Sequence, residues 1–271
     1  MSADQTSTET SNKKPEVKVY PYHESGSENL VLEVYTPKGL KKNSEAVPGI
    51  IMFHGGGWRG GNRSQFKFLC DYFARRGLVT ATVTYTLGKG KEKCVQDAIT
   101  AIRWFKENSD RLGVDPNRII AGGGSAGGHI SLLATTNPGL NPSKNKEDTD
   151  TSVVAYLLFN PALIIKDAPE VNFMEHVSSE LSPSISFFGD KDTKWLKGWD
   201  AAMEKMKSLG VNNVEYFQAE GESHAFFNKT PWKELTILAC DNFLNRQGLL
   251  TGEPTLNTPL LKKKLVRATD K

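Results

Sequence analysis

The stretch Arg118-Ile119-Ile120-Ala121-Gly122-Gly123-Gly124-Ser125-Ala126-Gly127 decides how the rest of the chain is read. A short β-branched run passes into glycines and then into a helical pattern from Ala126 to about Ala134, so the glycines form a strand-to-helix turn. Two motifs compete for that turn. Gly122, Gly124 and Gly127 satisfy G-x-G-x-x-G, the turn that cradles a dinucleotide pyrophosphate. Such a turn opens its domain and has an acid at a strand end about twenty residues on. Here at least four strands come first, and the acids at that distance, Glu147 and Asp148, fall in a polar loop. No lysine follows in the manner of a phosphate-binding loop. The other reading is Gly123-Gly124-Ser125-Ala126-Gly127, or G-x-S-x-G, in which a strained turn lifts a serine hydroxyl above a sheet and small neighbours prevent clashes. The serine reading is preferred.

Working outward, short apolar runs alternate with helical patterns. Val17–Tyr22 and Leu30–Thr36 read as an opening pair of strands, Gly49–Phe53 as a strand buried on both faces, and Leu78–Tyr85 as the next. Ser64–Arg76 reads as a helix stopped by Gly77, and Val95, Ala98, Ile99, Ile102 and Phe105 recur at helical spacing before an Asp115-Pro116-Asn117 turn. Val153–Phe159, Ser184–Phe188 and Val214–Gln218 read as later strands, with helices near 195–208 and 231–246. Alternating strands and helices imply right-handed crossovers and a mostly parallel central sheet covered on both faces, an α/β fold.

The turn at Ser125 has company upstream. His54-Gly55-Gly56-Gly57-Trp58 follows the strand ending at Phe53. Glycines let the backbone approach a reacting oxygen closely, so the N–H groups of Gly56 and Gly57, with that of Ala126, are expected to form an oxyanion hole. A serine nucleophile needs a base and an orienting acid. Of the five histidines, His54 reads as a prop for the glycine loop and His129 as a packed residue one turn past Ser125. His23 lies before the core begins, and His176 sits in a loop with no strand before it. His224, in Glu220-Gly221-Glu222-Ser223-His224, follows the last strand and is the expected base. Asp192 follows the preceding strand and is the expected acid, with Asp190 its rival and more suited to bracing the turn.

These motifs resemble the α/β-hydrolase superfamily and, within it, the HGGG-type serine carboxylesterases: the hormone-sensitive-lipase-like esterases and the small acetylxylan and feruloyl esterases. The carriers are HGGGW at 54–58, GGSAGG at 123–128, GxxD at 189–192 and GxxH at 221–224. The resemblance spans about Val17 to Arg246 and implies ester hydrolysis with no metal and no organic cofactor. It departs at one place, because the hormone-sensitive-lipase branch usually has aspartate where this chain has Gly124. The residues before His54 are spent on strands, and only 24 residues separate Phe159 from Ser184. A minimal cap, or none, is therefore expected.

The rest of the chain bounds the substrate. With 34 Lys and Arg against 31 Asp and Glu, the net charge of +3 gives no basis for nucleic-acid binding. Apolar runs are far shorter than the roughly 18 residues of a membrane span. Three scattered cysteines suggest neither a disulfide framework nor a metal site. The polar start reads as cytoplasmic as written, and as secreted if a leader has been removed. Residues 1–15 and 251–271 are expected to be tails around a catalytic domain at 16–250. Trp58, Trp195 and Phe226 flank the predicted site and are expected to bind substrate. The expected reaction is hydrolysis of short-chain carboxylic esters through an acyl-enzyme, with a small-molecule or carbohydrate ester as partner. The alternative is an amide hydrolase of the same fold, an aryl-formamidase or peptidase-like enzyme.

Overall fold

The computed structural model describes residues 14–23, 30–40, 45–142, 149–165, 168–256 and 264–268. Among these, nine strands form one sheet. β1 (Glu16–Pro21) and β2 (Val31–Thr36) make an antiparallel ribbon at one edge. β3 (Val47–Phe53), β4 (Val79–Val83), β5 (Val114–Gly124), β6 (Ala155–Phe159), β7 (Ser184–Gly189) and β8 (Val214–Ala219) run parallel, and β9 (Leu265–Arg267) pairs antiparallel with β8. In space the order is β1-β2-β4-β3-β5-β6-β7-β8-β9. The chain thus steps from β3 to one side, then crosses back to lay β5 on the other. Such a reversal leaves a crevice beyond the carboxyl ends of β3 and β5. His54 and Ser125 follow directly after those two ends.

Each face of the sheet has its own core, and strand alternation sorts residues between them. Ile51, Phe53, Ile119 and Ala121 face α2 (Lys91–Glu107), α3 (Ala126–Thr136) and α4 (Thr193–Ser208), through Ile99, Ile102, Ile130, Leu133 and Trp199. Ile50, Met52 and Ile120 face α1 (Lys67–Arg75) and α5 (Trp232–Arg246), through Leu69, Phe73, Ile237, Phe243 and Leu244. The continuous apolar run of β3 follows from this two-sided burial.

Three details depart from the sequence reading. The helix expected over Ser64–Arg76 begins as a 3-10 turn, Arg63–Phe66, capped by the Asn62 side chain, and becomes α-helical only at Lys67. The Asp115-Pro116-Asn117 turn sits inside β5, where the pairing with β3 shifts register and Asp115 Oδ1 accepts the Asn117 N–H at 2.9 Å. The third concerns the expected tail at 251–271. Arg76 Nη2 donates to the carbonyls of Thr251 (3.1 Å) and Gly252 (2.8 Å), and β9 extends the sheet. The folded body therefore does not stop at residue 250. The expected tail at 1–15 falls, apart from its last two residues, outside the described residues, as do Glu147 and Asp148.

The cap is as small as expected. Between β6 and β7 the described residues hold only two single turns, Pro169–Val171 and Phe173–Glu175, and Val171 and Phe173 are buried against the body. Among the described residues no helix is long and apolar enough to cross a membrane.

Candidate active site

Ser125 stands alone between β5 and α3 with φ +50° and ψ −114°, a conformation that costs a non-glycine residue of order 1–3 kcal/mol. The surrounding structure holds it there. Its N–H donates to Phe159 O at 2.8 Å, and its carbonyl accepts from the N–H groups of His129 and Ala162, both at 3.1 Å. The glycines around it are demanded by backbone crossing. A Cβ on Gly127 would lie 1.9 Å from Phe53 O, and one on Gly123 2.4 Å from the same oxygen. A Cβ on Gly122 would lie 2.2 Å from Leu157 O, so Gly122 and Gly127, two of the three G-x-G-x-x-G glycines, make room for the chain's own backbone. Gly124 has a different neighbour. A Cβ there would meet the Phe227 ring at 2.7 Å and Gln65 Oε1 at 3.2 Å. The space that an aspartate would need is filled, which accounts for the departure at this position.

His224 joins the serine to an acid. Its Nε2 lies 2.8 Å from Ser125 Oγ and its Nδ1 2.7 Å from Asp192 Oδ2. The imidazole is half-buried and the carboxylate is buried, with side-chain exposures of 34% and 5%. Asp192 precedes the first turn of α4. Asp190, two residues earlier, is exposed and accepts the Gly221 N–H at 2.9 Å, so it ties the β7 turn to the loop that carries His224. The close crossing of those loops needs Gly189, where a Cβ would lie 2.2 Å from Glu222 O.

The glycine loop after β3 lies against the serine. A Cβ on Gly55 would sit 3.0 Å from Gly124 O and 3.4 Å from Ser125 Cβ. Gly55 N–H donates to Gln65 Oε1 at 2.6 Å, and the loop turns through Gly56 (φ +129°), Gly57 (φ +62°) and Trp58 (φ +61°). His54 is buried and stacked on Tyr85, with centroids 4.3 Å apart. Its Nδ1 is 2.8 Å from Gly55 O, its own carbonyl accepts from the Tyr85 hydroxyl at 2.7 Å, and burial lowers its pKa. It props the loop. Trp58 Nε1–H donates to His129 Nδ1 at 3.2 Å, and Trp195 lies beside His224, with centroids 6.1 Å apart.

Known proteins share this arrangement of chain. The BD-FAE family pattern matches residues 32–161. Esterase LipQ of Mycobacterium tuberculosis is 26% identical over 88% of this chain and 65% of its own length; esterase LipC of the same organism is 33% identical over 72% and 57%. The chain thus spans less than two thirds of these two relatives. The apo form of Thermogutta terrifontis esterase 2 superposes with a TM-score of 0.82 at 31% identity, covering 89% of this chain and 98% of that one. The chain belongs to the α/β-hydrolase carboxylesterases.

Within that family framework, the residues singled out from sequence divide unevenly. Ser125, Asp192 and His224 come together in one hydrogen-bonded line, with the Gly56-Gly57 loop against it. Trp58 is half-buried and lines a cleft of about 290 Å³, and Trp195 is half-buried beside His224. Phe226 does not line the mouth. It is 1% exposed and packs at right angles against Phe227 and Trp232, because Ala225, at φ +62°, turns the chain inward directly after His224. Trp199, spaced four residues from Trp195, is a core residue packed on Phe188 and Tyr216. One residue escaped the sequence reading. Asn160, fully buried at φ +47° after β6, donates from Nδ2 to Asp192 Oδ2 at 3.0 Å and accepts the Ala225 N–H on Oδ1 at 3.3 Å. Its only sequence signal is an Asn-Pro pair ending an apolar strand.

Proposed function

We propose that this esterase-family chain hydrolyses short-chain carboxylic esters through a covalent acyl-serine, with Ser125, His224 and Asp192 as its catalytic residues. The observation that carries this reading is the continuous line of 2.8 and 2.7 Å contacts from Ser125 through His224 to Asp192. Ser125 Oγ attacks the ester carbonyl carbon as its proton passes to His224 Nε2. Asp192 accepts the His224 Nδ1–H, which fixes the tautomer and stabilises the imidazolium. The N–H groups of Gly56, Gly57 and Ala126 would hold the oxyanion of the tetrahedral intermediate, a contribution of roughly 3–4 kcal/mol per donor in comparable enzymes. His224 then gives its proton to the departing alkoxide. In the second half, water loses a proton to the same nitrogen, attacks the acyl carbonyl and releases the acid, and Ser125 recovers its hydrogen.

A short acyl group is supported by the lack of any cap helix among the described residues. It is also supported by Thermogutta terrifontis esterase 2, solved with propionate and with butyrate bound, at 32% identity in both. A carbohydrate ester is the narrower proposal, resting on two half-buried indoles near the site, Trp58 in the glycine loop and Trp195 beside His224. The test is turnover of 4-nitrophenyl acetate and butyrate and of an acetylated xylo-oligosaccharide, with Ser125→Ala as control. The expected result is ester cleavage that falls by at least about 10⁴-fold in Ser125→Ala, the scale of nucleophile loss in related triads. Retained cleavage in that variant would remove Ser125 from the mechanism. An unreactive acetylated sugar beside a reactive 4-nitrophenyl acetate would end the carbohydrate proposal alone.

A further inference from the structure

A cleft of about 290 Å³ opens beside the glycine loop, lined by Gly57, Trp58, Arg59, Gly88, Gly90 and Lys91. Its walls are fixed to the site. Gly88 N–H donates to Trp58 O at 2.9 Å, and the Trp58 indole is bonded to His129, one turn after Ser125 on α3. The lining contains two cations and no carboxylate.

That imbalance is local. Nearby cations are matched: Lys93 pairs with Asp97 at 2.7 Å, while Arg63 (2.8 Å) and Lys67 (3.0 Å) share Glu33. Among the described residues, neither Arg59 nor Lys91 has an acidic partner. The Lys91 ammonium instead lies 5.2 Å over the Trp58 ring, which holds it above the cleft. The same wall is the start of α2, a 17-residue helix whose N-cap, Gly90 at φ +99°, supplies no capping side chain. The helix dipole adds positive potential there. An arginine fork and an ammonium facing one open volume are complementary to an anion.

We propose that this cleft is a subsite for an anionic group on the substrate, so that the preferred ester carries a carboxylate or similar charge a few bonds from its carbonyl. The inference rests on the reading of Gly57 as an oxyanion donor, because that residue forms both the cleft wall and the reaction centre. The anion can sit on either side of the ester. The acyl group and the alcohol leave the carbonyl carbon in different directions, and only the alcohol oxygen must face His224.

The test compares phenyl hydrogen adipate (anion on the acyl side), 4-acetoxybenzoate (anion on the alcohol side) and neutral phenyl pentanoate. Wild type and Arg59→Gln/Lys91→Gln are assayed at low and high salt. Exposed ion pairs are individually weak and screened, with a Debye length of about 10 Å at 0.1 M and about 3 Å at 1 M. The expected result is a fall in kcat/KM about tenfold larger for one anionic ester than for the neutral one, with the difference vanishing at high salt. Whichever anionic ester responds assigns the side. Binding of the same esters to Ser125→Ala, with and without the two substitutions, is read by calorimetry and needs no turnover. A wild type that cleaves no ester would refute the esterase reading while calorimetry still reports on the subsite. Equal loss for charged and neutral esters, or equal binding of both to Ser125→Ala, overturns the subsite.

Discussion

Asn160 and His224 share one oxygen of Asp192. Both donate to Oδ2, at 3.0 and 2.7 Å, and Asn160 also accepts from the backbone beside His224. One side chain thus fixes the Asp192 carboxylate relative to the loop that carries His224. A hydrogen bond to a charged group contributes about 1.5–3 kcal/mol. Asn160→Gly keeps the left-handed backbone while deleting both side-chain bonds, so it isolates that contribution. We expect kcat to fall about tenfold to a hundredfold with KM within about twofold. A lower melting temperature with kcat untouched would mean that Asn160 only packs. His129 gives a second prediction, in stability. Its Nδ1 accepts from Trp58 and its Nε2–H faces Val171 O at 2.7 Å, so the neutral ring satisfies both neighbours. Burial pushes its pKa down to about 4, with the Lys91 ammonium adding to the shift and the Val171 carbonyl opposing it. Below the ordinary histidine range the unfolded chain takes up a proton that the folded chain refuses. Stability therefore falls as pH drops from about 6.5 towards 4, by up to about 3 kcal/mol from this group. Buried His54 acts in the same direction. In urea unfolding, the advantage of wild type over His129→Asn should shrink by that amount between pH 7 and pH 4; a constant difference would show that His129 is not the titrating group.

At the scale of elements, the sheet face opposite α3 is held by a buried ion pair. Asp241 on α5 receives Arg76 Nε (2.8 Å) and Nη2 (3.2 Å) from the end of α1, and the Tyr72 hydroxyl at 2.6 Å. The two charged side chains are 8% and 0% exposed. Removing one partner strands a buried charge, which costs about 3–5 kcal/mol. Arg76→Met should lower the melting temperature by roughly 10 °C at about 2–4 °C per kcal/mol for a body of this size. Arg76→Met combined with Asp241→Leu should recover most of that loss in the same thermal scan. If the double variant melts no higher than Arg76→Met, stranded charge is not the cause. Nothing in the sequence led to this pair, because hydrophobic period reports what faces the core and says nothing about partners 165 residues apart. The same limit explains β9. Three residues after a lysine run carry no alternation to read, and they become a strand only because the edge of β8 is open to pair with them. By contrast α2 was legible from its long helical period, and β3 and the second half of β5 from short apolar runs that end in glycines. The turn at Asp115–Asn117 was legible as a local hydrogen bond but not as a bulge within β5, which depends on the partner strand.

For the whole molecule, the legible part was the order of strand ends. Glycine turns after β3 and β5, an acid after β7 and a histidine after β8 place four segments above one edge of a parallel sheet, and the reversal between β3 and β5 opens the crevice over them. Phe226 was misread because proximity in sequence to His224 says nothing about which way the chain turns next. Length was the other legible quantity, and it bears on acyl preference. With 24 residues between β6 and β7 and two single turns formed from them, no helix among the described residues stands over Ser125 to enclose a chain. Each methylene gains about 0.8 kcal/mol only when it leaves water. Four additional methylenes in an enclosed pocket would therefore contribute about 3 kcal/mol, or roughly 200-fold in kcat/KM. Over an open site they stay hydrated and contribute little. The expected profile for 4-nitrophenyl esters is then flat or falling from butyrate to octanoate, with rates that saturate smoothly and show no jump when the substrate forms micelles. An octanoate preference of more than about tenfold would mean that an apolar enclosure forms around the acyl chain, and the short-chain proposal would fail with it.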